Sequence, residues 1–138
     1  IHTDGVVTVQ AESGTFANAQ CFTSLEGVSF AVNATGYTAL TLQGGWTNAP
    51  FATRNAAVTS ISGVVHLEGA IATVGTNQLA FTLPGTMRPT TDVYVPVDMC
   101  NATNGRLLIH TNGQVIVQAQ TFANAQCFTS LEGASFAQ

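Results

Sequence analysis

The chain has 138 residues, a formal charge of −4 and only 7% charged side chains, against roughly 25% in an average globular protein. It contains no Lys, and Arg54, Arg88 and Arg106 are its only strong cations, which is no basis for the basic stripe that binds nucleic-acid phosphates. No apolar run approaches a membrane span, so no membrane insertion is expected, and a hydrophobic fraction of 46% excludes disorder.

Short β-rich runs separated by Gly, Asn and Pro follow one another along the chain, and no helical period emerges. Strands are expected at 6–10, 21–25, 37–42, 57–62, 64–72, 78–83, 92–97, 106–110, 114–119 and 127–131. Ten short strands predict an all-β, antiparallel β-sandwich or jelly-roll-like fold. The clearest local signal is RLLIH-TNG-QVIVQ. Asn112-Gly113 suits a two-residue type I′ turn, which would place Leu108, His110, Val115 and Val117 on one face and Leu107, Ile109 and Ile116 on the other. Both faces would then be apolar, which calls for a covered central pair or a subunit interface. In SLEGASF, an extra residue at Glu132-Gly133 would let Leu131, Ala134 and Phe136 share one core face.

The chain repeats itself. IHTDGVVTVQAESGTFANAQCFTSLEGVSFA from Ile1 returns as IHTNGQVIVQAQTFANAQCFTSLEGASFA from Ile109. Between Thr15–Ala31 and Thr121–Ala137 only Val28 and Ala134 differ, whereas residues 32–105 have no second copy. The expected organisation is a tandem array in which residues 1–31 are the tail of a preceding unit, or a stalk-like segment. Residues 32–138 would be one complete domain, and the chain a piece of a longer protein. The alternative is two edge hairpins of one symmetric fold.

Five motifs, taken in order, carry a resemblance: Gly45-Trp46, Gly63–Gly69, Phe81–Pro89 (FTLPGTMRP), Asn112–Val115 and Ser130–Phe136 (SLEGASF). The series resembles the C-terminal receptor-binding head domain of bacteriophage tail fibre proteins. The resemblance implies a homotrimeric β-sandwich head that binds cell-surface glycans. The tandem copies and the TFANAQCF stretch depart from that pattern. They fit bacterial adhesins that use the same module, so the expected location is extracellular, on a virion tail fibre or a bacterial surface.

Candidate ligand-binding residues follow from sugar chemistry. Trp46 and Tyr94 offer stacking platforms, although a buried Trp46 would instead anchor the core. Arg54 and Arg88 offer planar hydrogen bonding, or pair with Asp92, Asp98 or Glu68. Asp98 offers a carboxylate acceptor, and His66 alternates away from Val65 and Leu67 toward a groove or solvent. Cys21 and Cys127 are repeat equivalents and Cys100 is the odd one out. Cys100 and Cys127 either form a disulfide, or all three are buried thiols. No Cys/His spacing suggests a metal site or a cofactor, and no Ser/His/Asp or Cys/His arrangement suggests nucleophilic catalysis. A non-enzymatic recognition domain is expected, with a structural fibre spacer as the alternative.

Overall fold

The hairpin around Asn112-Gly113 organises the larger of two antiparallel sheets in the computed structural model, which describes residues 1–138. Eleven strands form: β1 (Thr38–Ala39), β2 (Trp46–Asn48), β3 (Ala57–Ile61), β4 (Val64–Glu68), β5 (Ala70–Thr73), β6 (Leu79–Thr82), β7 (Val93–Met99), β8 (Thr103–Ile109), β9 (Gln114–Ala119), β10 (Thr129–Ser130) and β11 (Ser135–Ala137). Two short helices, α1 (Phe16–Cys21) and α2 (Phe122–Cys127), accompany them. The protein is all-β in class.

One sheet has the order β1-β3-β4-β11, the other β2-β5-β10-β7-β8-β9-β6. A bridge between Leu42 and Phe81, with a bond from the Gln43 amide to the Ala80 carbonyl, draws β6 toward the segment leading into β2. The seven-stranded sheet therefore curls into a nearly closed barrel, which leaves little edge unpaired. Both sheets feed one cluster that includes Val58, Val65, Leu67, Ile71, Phe81, Met99, Leu107, Val117 and Leu131.

The type I′ expectation for the hairpin is corrected by the register. Ile109 faces Val115 and Leu107 faces Val117. The His110 amide donates to the Gln114 carbonyl and the Gly113 amide to the His110 carbonyl, leaving a three-residue loop with Gly113 at φ +87°. Such a loop carries its glycine in the left-handed region. The added residue flips one strand relative to the other, so Leu107, Ile109, Val115 and Val117 all point inward and are fully buried. Leu108 and Ile116 form the outward pair.

Two further expectations are corrected. The single strand expected over 64–72 breaks at Gly69 (φ +88°), where the chain leaves the four-stranded sheet at β4 and enters the seven-stranded one at β5. Glu132-Gly133 makes the reverse passage between β10 and β11. Leu131, Ala134 and Phe136 are all buried across it, as the pattern predicted. The strand expected over 127–131 shrinks to two residues because FANAQC is helical. Six residues are too few to show a period, and so short a helix depends on packing rather than propensity. Ala125 is buried, and Phe122 meets Trp46 edge-on at 6.3 Å.

Residues 1–30 contain no buried residue and no strand, and every buried residue lies at or beyond Leu40. The strands expected at 6–10 and 21–25 are absent.

Candidate functional site

Alternation along β7 and β8 builds the outer face of the seven-stranded sheet. Val95, Val97 and Met99 are buried, so Tyr94, Pro96 and Asp98 project outward. Leu107 and Ile109 point inward on β8, so Asn104 and Arg106 project outward beside them. Pro96 lies opposite Arg106, and Asp98 opposite Asn104. Arg106 therefore sits diagonally from Tyr94, within reach of a long side chain. Its guanidinium carbon lies 4.7 Å from the Tyr94 ring centroid, the geometry of a cation–π contact. Its Nε donates to Gln118 Oε1 at 2.8 Å across the next strand pair.

A shallow polar groove continues from Arg106 and is lined by Gln78, Asn104, Gly105, Gln118, Ala119 and Gln120. Tyr94 is 57% exposed at its margin. Asp98 also lies on this face, where loss of hydration against the sheet raises its pKa despite a hydrogen bond from the Met99 amide. The face thus offers an aromatic ring, a guanidinium, an acid and several amides. Groups of these kinds have the chemistry for ring stacking and paired hydrogen bonds with hydroxyls.

The other candidates lie elsewhere. Trp46 is 5% exposed and its Nε1 donates to the Asn77 carbonyl at 2.9 Å. It anchors the core and is no platform for sugar. Arg54 pairs with Glu68 at 3.3 Å and donates to the Val32 carbonyl. Glu68 itself is buried, and loss of hydration raises its pKa although Arg54 opposes the shift. His66 lies half-buried in β4, opposite Thr59 and Ser135. Arg88 is exposed and reaches back over the hairpin loop, with Nε donating to the Leu83 carbonyl. Asp92, four residues further along, pairs with His110 at 2.8 Å and accepts the Thr111 amide, and these contacts lower its pKa.

Only Tyr94 and Asp98 of the six candidates share a face. Arg106 joins them and was not singled out from the sequence. Its signal was its position before the buried Leu107 and Ile109, but its place beside Tyr94 rests on the pairing of β7 with β8, which the sequence does not state. Cys100 and Cys127 form a disulfide with Cα atoms 5.9 Å apart, and Cys21 is a free, exposed thiol.

No protein family, curated protein or solved structure matches this chain.

Proposed function

We propose that this chain is a non-enzymatic recognition domain, a β-sandwich head of a homotrimeric extracellular fibre that binds cell-surface carbohydrate. The observation that carries the reading is the outward triad of Tyr94, Arg106 and Gln118 at the edge of an amide-lined groove. Neutral sugars need such a surface, with ring stacking and planar donors but little net charge. The Cys100–Cys127 disulfide supports an oxidising, extracellular setting. The outward Leu108–Ile116 pair and the neighbouring Leu79 supply apolar surface for contact between subunits. The host is a phage virion or a bacterium.

Each site of this kind is weak, and useful affinity comes from several heads engaging together. Glycan-array binding by the wild-type chain, with Tyr94→Ala and Arg106→Ala beside it, tests the site. Molar mass by light scattering tests the trimer. Binding lost in both variants with unchanged unfolding midpoints is expected. Undiminished binding by both variants, or a monomer that binds as tightly as the assembly, overturns the reading.

The second reading is a structural spacer of a repetitive fibre with no ligand of its own. It is favoured by the duplicated segment, whose first copy, residues 1–31, holds nine of the fourteen exposed large hydrophobic side chains.

A further inference from the structure

The duplicated segment has one place to bind and two claimants. In the C-terminal copy, residues 114–138 lie in a seat formed by β4, β5, β6, β7 and β8. Val115, Val117, Ala125, Thr129, Leu131 and Phe136 are its buried side chains. The N-terminal copy has the same residue at each equivalent position, and the only buried difference is Val28 in place of Ala134. Its anchoring polar groups are also kept. Gln20 matches Gln126, which donates to the Gly75 carbonyl, and Glu26 matches Glu132, which accepts the Gly69 amide. Cys21 matches Cys127. The insertion at Glu12-Ser13-Gly14 falls opposite exposed Gln120.

The N-terminal copy is also preshaped for that seat. It forms the same helix, α1. It closes the same turns, with the Gly5 amide on the His2 carbonyl and the Val28 amide on the Leu25 carbonyl. Those bonds match Gly113 to His110 and Ala134 to Leu131. In its own chain the seat is filled, and the Ala31 amide donates to Glu132 Oε1 of the seated copy, which holds the N-terminal copy outside it.

We propose that the N-terminal segment of one chain enters the seat of a second copy of this chain and displaces that copy's residues 114–138. The exchange is locked by a thiol–disulfide step. The Cys21 thiolate attacks Cys100 Sγ, the Cys100–Cys127 bond breaks, and Cys127 leaves as a thiolate, with no net oxidation. The contact joins unlike surfaces, so repetition gives rings or open head-to-tail chains. This inference stands apart from the carbohydrate reading and needs no glycan.

The sequence provides a clean assay. Trypsin cleaves after Arg54 and Arg106 but not between Arg88 and Pro89. The unreduced chain therefore yields 1–54 and a disulfide-joined pair of 55–106 and 107–138, with one cysteine in each of the three segments. The full chain is incubated at increasing concentration with a trace of glutathione, alkylated and digested. The product linking 1–54 to 55–106 should rise with chain concentration and reside in covalent dimers and longer species. Leu25→Asp places a charge in the buried Leu131 position of the seat and should cut that product more than about tenfold. Cys100–Cys127 in the remaining monomer should be unaffected, because Leu25 is exposed there. Absence of the product overturns the proposal. So does its formation within single chains independently of concentration, or its persistence in Leu25→Asp, which would mark random collision of an exposed thiol.

Discussion

The Gly69 amide donates to Glu132 Oε2 at 2.9 Å, and this bond ties together two of the points where the chain passes between sheets, β4 to β5 and β10 to β11. The Leu131 amide on the Gly69 carbonyl and the Leu67 amide on the Ala134 carbonyl complete the junction. Gly69 has no room for a side chain, because a Cβ there would meet the Asn55 and Arg54 carbonyls. Hydrogen bonds to a charged group contribute about 1.5–3 kcal/mol each. Glu132→Ala should therefore lower the unfolding free energy by about 2–3 kcal/mol in urea titration, and Glu26→Ala should leave it within about 0.5 kcal/mol.

Leu131 and Leu25 occupy the same pentapeptide, TSLEG, yet Leu131 is fully buried and Leu25 is 70% exposed. Leu131→Ala should cost about 2–5 kcal/mol through lost burial and the cavity it leaves. Leu25→Ala should cost less than about 0.5 kcal/mol. Equal effects in denaturant titration would mean that both copies are seated in solution.

The Cys100–Cys127 disulfide links residues 27 apart and joins the end of β7 to the end of α2. Closing a loop of that length in the unfolded chain is worth about 3–4 kcal/mol in the chain-entropy account. The double variant Cys100→Ser/Cys127→Ser should lose unfolding free energy of that order in urea titration, and Cys21→Ser should lose none.

Two carboxylates give stability opposite pH dependences. The folded-state pKa of Asp92 lies below the ordinary carboxylate value, so its contribution is present above that value and is lost as the pH falls through the lowered one. Glu68 is raised by burial, so its contribution is full below the ordinary value and declines as the pH rises through the raised one. Urea midpoints measured across the acidic range should flatten on the acid side in Asp92→Asn. In Glu68→Gln they should flatten on the side approaching neutrality.

Period-two alternation and turn residues exposed most strands, whereas the shared outward face of Tyr94 and Asp98 came from the structure. The exchange of sheets at Gly69 was not legible, because an apolar run looks continuous whichever sheet its halves join. The hairpin register turned on one loop residue, since two- and three-residue loops both accept Asn-Gly. Arg106 beside Tyr94 depended on a separate matter, the register of β7 on β8, which alternation within either strand does not fix. Trp46 was ambiguous because a Gly-Gly-Trp step says nothing about which neighbours arrive, and here Asn77 and Phe122 enclose it.

The repeat separates what a local sequence decides from what a fold decides. Both copies form the His–Thr–(Asp/Asn)–Gly turn, the FANAQC helix and the Leu–Glu–Gly turn, because each closes through bonds only a few residues apart. Only the second copy contains β9, β10 and β11. Strand formation needs a partner's amides and carbonyls and a sheet face that excludes water, and those belong to the tertiary structure. The same residues that are buried around Leu131 stand exposed around Leu25, because one seat exists in the chain and the C-terminal copy occupies it.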